Sequence, residues 1–272
     1  MLEQAHPLVM LVQGFVAQAG AYFAVVGLLF LIVWKWGEER FRGARIQGKR
    51  RLSREQLAFE VRHTLVTLML GTATAVGVSL LYASGSTKLT TDADALGWPT
   101  IVATFVALLV LNDAWFYGWH RLLHHPRLFR YVHAVHHKSV DVNPFSSYSF
   151  HAVEAVILGG WVLPTVLVVP LYLPMLGALQ AVGLANNVMS HLGYEFLPRW
   201  LLRVPGLRWM NTSTFHNLHH TSLTGNYALM FRFWDRRLGT EVPSYEQTFL
   251  ERGAALRATS GGPEATARRG PS

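Results

Sequence analysis

Residues 95–125, ALGWPTIVATFVALLVLNDAWFYGWHRLLHH, run from a stretch without Asp, Glu, Lys or Arg over 95–112 into His120 and His124. A charge-free run of this kind suits a bilayer, whose hydrocarbon core takes about 20 apolar residues to cross as a helix. On that helix His120 and His124, four apart, project from one face one turn above the other and can share a metal ion. Two further clusters follow, His133-Ala134-Val135-His136-His137 and His216-Asn217-Leu218-His219-His220, with His191 between them, and only His6 and His63 of the 13 histidines fall outside 120–220. In His-x-x-His-His the first two histidines are three apart and share a face, while the third turns about 100° away and can reach a second ion. The spacings therefore predict a metalloprotein with a dinuclear centre. Imidazole donors suit iron, zinc, copper or nickel rather than magnesium or calcium. A cysteine count of 0 excludes iron–sulfur clusters, thiolate-ligated haem, thiolate zinc sites and disulfides.

Composition sets the solvent. The 272 residues are 51% hydrophobic and 15% charged, with a mean hydropathy of +0.23, outside the usual soluble balance. Further charge-free runs cover 7–34, 64–87 and 155–194; the last is broken by Pro164, Pro170 and Pro174. So many runs would overfill a soluble core. The predicted fold is all-α, a multi-pass transmembrane bundle of about four spanning helices, with 155–194 as a helical hairpin turning near Pro170 to Pro174. Residues 1–59 then form a first helix and basic loop, 60–245 the domain that carries the histidine clusters, and 246–272 a tail that is rich in small residues over 253–272 and is expected to be disordered. The first run is too long for a signal h-region and is read as a retained helix.

Charge orients the bundle. From Lys35 through Arg54 the chain has eight basic residues, whereas the loop over 84–97 has Lys88 alone beside Asp92 and Asp94. By the positive-inside rule the first loop is cytoplasmic, and helix counting puts every histidine cluster in a cap on that face. The net charge of +8 and pI near 10 suit anionic headgroups; no basic–aromatic motif points to nucleic acid.

The pattern His120-x-x-x-His124, His133-x-x-His136-His137, His216-x-x-His219-His220 on a multi-helix membrane chain resembles the fatty acid hydroxylase / sterol desaturase superfamily of membrane di-iron enzymes. Neighbouring residues carry the same likeness: Asp113-x-x-x-Tyr117-x-x-His120-Arg121, His151-x-x-Glu154, His191-x-Gly193-Tyr194-Glu195 and Trp234-Asp235-Arg236-x-x-Gly239-Thr240. It spans about residues 60 to 245, and the third cluster with its Trp-Asp-Arg segment looks most like the sterol desaturase side. The resemblance implies two ferrous ions that use O2 and two external electrons to hydroxylate or desaturate a lipid C–H bond. The implied ligands are His120, His124, His133, His136, His137, His216, His219 and His220, with His191, at the end of the hairpin's returning helix, read as a ninth.

Around those ligands several roles stay open. Asp113 orients a ligand imidazole, or caps or pairs within the bundle. Tyr117 is a neighbour of the centre. Asn187 binds metal through water or hydrogen-bonds within the bundle. His151 stands behind a ligand or, as favoured here, pairs with Glu154 one turn on. His125 turns away from His124, and Pro126 ends the helix. Trp115, Phe116, Tyr117, Trp119, Trp200, Trp209 and Trp234 line a lipid channel or form an interfacial belt. The rival readings are a membrane zinc hydrolase, zinc being also an adventitious occupant of such a site, and a metal transporter or store; the sequence has no His-Glu-x-x-His motif. With no Gly-x-Gly-x-x-Gly fingerprint or fused haem domain, electrons are expected from a separate cytochrome b5-like, ferredoxin or rubredoxin donor.

Overall fold

The computed structural model describes residues 6–48 and 52–260, with only the backbone over 253–260. Lys49, Arg50 and Arg51 of the basic loop, and 261–272 of the tail, lie outside the described residues. The fold is mostly helical, and three helices are long and apolar enough to cross a membrane: Pro7–Trp36, Arg54–Ala83 and Trp98–Leu123. Helix α1 (Pro7–Leu29) runs on as a π-helical turn over Phe30–Trp36; α2 is Arg54–Ala83 and α3 is Trp98–Leu123. Local chemistry sets their starts. His6 accepts the Leu8 N–H ahead of Pro7, Ser53 accepts the Gln56 N–H, and Gly97 at φ 74° admits the chain into Trp98-Pro99. Leu8, Val12, Val16, Val102 and Val106 are left exposed on faces suited to lipid tails, while Tyr22 and Val26 bury against Leu68 and Val188.

After α3 the chain stops at His124 and makes α4 (Pro126–Leu128), a π-helical turn over Phe129–His133, and α5 (Ala134–His137). The 155–194 run folds as α6 (Ala152–Gly159), α7 (Val162–Val168) and α8 (Leu173–Ser190). Its reversal falls between Pro170 and Pro174, where strand β2 (Leu171–Tyr172) pairs in parallel with β1 (Leu89–Thr90) from the α2–α3 loop. Leu89, Ile101, Val166, Leu171 and Met175 close that end of the bundle. None of the helices in this run joins the three membrane-length ones among the described residues.

The opposite end carries the histidines. The α1–α2 loop lies against it: the Ile46 N–H donates to Gly193 O at 3.1 Å and the Glu195 N–H to Ala44 O at 2.8 Å. Arg45 reaches Asp141 at 3.1 Å and lies over Trp34. Three last helices complete this end, α9 (Ser213–Ser222), α10 (Phe233–Arg237) and α11 (Tyr245–Ser260). Disorder was expected from residue 246; instead α11 is helical and buries Tyr245 and Phe249 fully against Phe215. Two aromatics four apart give it an anchored stripe that a composition count over small residues hides.

Candidate metal centre

Helix geometry delivers the histidines from four places. His120 stands in the last turn of α3, His124 caps that helix, and His133, His136 and His137 follow through the π-helical turn and α5. His191 ends α8. His216, His219 and His220 sit on α9, whose start is capped by Thr212 Oγ1 accepting the Phe215 N–H at 3.1 Å. The Glu195 carboxyl accepts the Thr214 N–H at 2.9 Å, satisfying a free N–H in that helix's first turn.

These nine rings converge as two groups. His120, His124, His133, His137 and His219 each offer a nitrogen within 4.8 Å of all the others, and His136, His191, His216 and His220 do the same. The grouping differs from the expected one in a specific way. It is the residues four apart, His133 with His137 and His216 with His220, that share a group, while the middle histidine of each motif, His136 or His219, crosses to the other. Four residues overshoot a full turn by about 40°, less than the roughly 60° by which three fall short, so the i,i+4 pair aligns better.

On five of the nine rings Nδ1 meets an oxygen acceptor. Nδ1 of His120 meets Tyr227 O at 2.7 Å, that of His219 meets Gly225 O at 2.8 Å, and that of His191 meets Asn187 O at 2.8 Å. His136 Nδ1 meets Ser149 O at 3.3 Å and His133 Nδ1 meets the Glu154 carboxylate at 2.7 Å. A neutral imidazole that donates from Nδ1 has a bare lone pair on Nε2. Yet the Nε2 atoms of His120 and His133 stand 3.0 Å apart, and those of His136 and His191 3.3 Å apart. Two lone pairs at that range repel, and a cation between them removes the conflict. The donor set thus fits a pair of transition-metal ions. Burial, reinforced by neighbouring imidazoles, pushes His136, His137, His216 and His220 well below the ordinary histidine range. His191 is lowered to about 4 and His219 to about 3, chiefly by burial. All are neutral near pH 7, the form that binds metal.

The remaining candidates separate. Glu154, fully buried, holds His133 in place of the expected ring of His151, whose contact with the Glu154 carboxyl is through its backbone N–H. His151 instead caps α6, accepting the Val153 N–H, and Glu154 one turn on points inward. Asp113 orients no imidazole: its Oδ1 accepts the Met230 N–H at 2.7 Å, which ties α3 to the segment before α10. Seven residues before His120 it shares that stripe, but a neighbouring backbone claims it first. The Tyr117 hydroxyl meets Thr240 Oγ1 at 2.9 Å and Asn187 donates to Ser147 O at 2.6 Å, both bonds within the bundle. His125 is exposed and caps α4. The orienting carbonyls of Ser149, Gly225 and Tyr227 were missed, since a backbone oxygen leaves no mark in sequence. A cavity walled by Phe116, Phe150, Ala228 and Leu229 opens onto histidines of both groups.

Comparison with known proteins agrees on kinship. The sequence model of the family described as fatty acid hydroxylase matches residues 105–240. Methylsterol monooxygenase 1 of Gallus gallus is 34% identical over 144 residues, 53% of this chain and 48% of that protein. A Delta(7)-sterol 5(6)-desaturase of Gibberella zeae is 29% identical over 156 residues, 57% of this chain and 47% of that protein. A very-long-chain aldehyde decarbonylase of Oryza sativa subsp. indica is 30% identical over 165 residues, 56% of this chain and 26% of that protein. The chain spans about half the length of the sterol-enzyme relatives it matches. No solved structure matches.

Proposed function

This chain belongs to the fatty acid hydroxylase family, and we propose that it is a membrane-bound di-iron oxygenase that hydroxylates or desaturates a lipid C–H bond with O2 and external electrons. The observation that carries the reading is the double convergence of imidazoles, five of them with Nδ1 held by an oxygen acceptor and their Nε2 atoms facing one another. The nine histidines would hold two iron ions, which supply O2 activation when bound. The protein's part is to keep the rings neutral and aimed, and to exclude water that would divert the oxidant.

The site's place at the end of three membrane-length helices suits an apolar substrate. Phe116 lies one turn into α3 from His120 and walls the cavity, so a lipid could approach from the bilayer side without crossing water. The relatives bear the names of a methylsterol monooxygenase, a sterol desaturase and an aldehyde decarbonylase, which favours a sterol or a long-chain lipid. The basic α1–α2 loop packs at the histidine end, which supports a cytoplasmic centre reached by a separate electron donor, and the α6–α8 run is proposed as the fourth crossing.

The test is mass-spectrometric lipid profiling of cells making the protein against cells making His136→Ala. A product one oxygen heavier or two hydrogens lighter, absent from the variant, supports the reading. Identical profiles, with purified iron-loaded protein consuming no O2 in the presence of reductant and lipid, sink it.

A further inference from the structure

The five-histidine group has a support that the four-histidine group lacks. Immediately after α9 the chain passes over residues 223–227, and three of its carbonyls turn inward. Leu223 O faces His124, Gly225 O takes the His219 Nδ1–H at 2.8 Å and Tyr227 O takes that of His120 at 2.7 Å. All three rings belong to the five-histidine group. The other group draws its acceptors elsewhere, from Ser149 O and Asn187 O.

Such inward carbonyls demand an uncommon backbone. Leu223, Gly225 and Asn226 have φ of 60°, 87° and 56°, the left-handed region where a non-glycine residue needs external support. Asn226, fully buried, supplies it from both ends of its amide: Nδ2 donates to Phe215 O at 2.9 Å and Oδ1 accepts the Val242 N–H at 2.8 Å. Asp235 holds the next two residues, accepting the Tyr227 and Ala228 N–H groups at 2.8 Å each, and takes the Thr240 hydroxyl at 2.7 Å. Gly225 has no room for a side chain, since a Cβ would lie 2.4 Å from Thr240 O.

We infer that residues 223–227 form a strap, with Asn226 and Asp235 as positioning residues, that sets ring orientation and tautomer for one ion of the pair and leaves the other ion's ligands untouched. The inference rests on the metal-centre reading above. Neither residue touches an imidazole, and each acts through a carbonyl.

Cobalt(II) titration of the full-length, metal-stripped protein in detergent tests it, reading bound ions per chain and ligand-field absorption. The wild type is expected to take two ions. In Asn226→Ala the affinity of one ion should fall about 10- to 100-fold, the range for loss of outer-shell support, with its absorption band shifted and the second ion unchanged. Asn226→Asp, which tolerates the left-handed backbone and keeps the acceptor for Val242, should recover part of the loss. Undiminished affinity for both ions in Asn226→Ala, or equal weakening of both, overturns the strap. If Asn226→Ala does not fold, Asn226→Gly, which keeps the backbone and lacks both anchors, is read by the same criteria. A wild type that binds no cobalt overturns the metal centre itself, and so separates the two failures.

Discussion

Glu154 and His133, 21 positions apart in the chain and both fully buried, meet with carboxylate Oε1 2.7 Å from ring Nδ1. The contact locks the His133 proton on the side away from the other imidazoles and makes the ring a stronger donor at Nε2. Replacing Glu154 by Ala should therefore lower metal affinity by about 10- to 100-fold. Gln, whose amide oxygen still accepts a hydrogen bond, should fall between the two. Metal content after graded chelation checks the order; equal retention by all three proteins would leave the contact without a role.

The lowered histidines make stability acid-sensitive. A base whose folded pKa lies below its unfolded value takes up protons in the unfolded chain first. It therefore costs stability as pH falls from about 6.5, the unfolded value, toward the folded one. For His191 and His219 that window runs down to about 4 and about 3. Each such group contributes a slope of about 1.4 kcal/mol per pH unit within it. Thermal melts of metal-free protein in detergent should show Tm dropping between pH 7 and pH 5, and added metal should offset the drop. A Tm flat over that range would contradict neutral, buried rings.

Gly193 joins the basic loop to the end of α8. It sits at φ 76°, and a Cβ there would lie 2.4 Å from Val142 O and 2.7 Å from the Trp34 ring. Strain and clash together should make Gly193→Ala destabilising by about 2 kcal/mol or more. Because His191 lies two residues earlier, the four-histidine group should lose metal before the five-histidine group does. Chemical unfolding and metal counting on one preparation would check both effects; a wild-type unfolding midpoint would remove the claim.

Much of the fold was legible because the signals were long. The charge-free runs gave three membrane-length helices, and Pro170 with Pro174 marked the reversal where β2 lies. Convergence of the nine rings followed from spacing and from the family resemblance, since residues four apart on a helix share a face whatever surrounds them. What escaped was decided by tertiary competition. Asp113 had the right stripe for a ligand's partner, but the Met230 N–H took it. Glu154 was read as a local partner of His151, although an acceptor for the buried His133 was the more pressing need. Helix α11 was masked by its small residues, although Tyr245 and Phe249 mark the stripe it buries.

The crossing of His136 and His219 between the groups bears on how the protein is made. Neither nest is complete until α9 has left the ribosome and folded back onto α3 and α5. A nascent chain that has reached only residue 200 offers partial sets of imidazoles to any passing cation. Only a chain that has reached α9 presents either set of imidazoles whole.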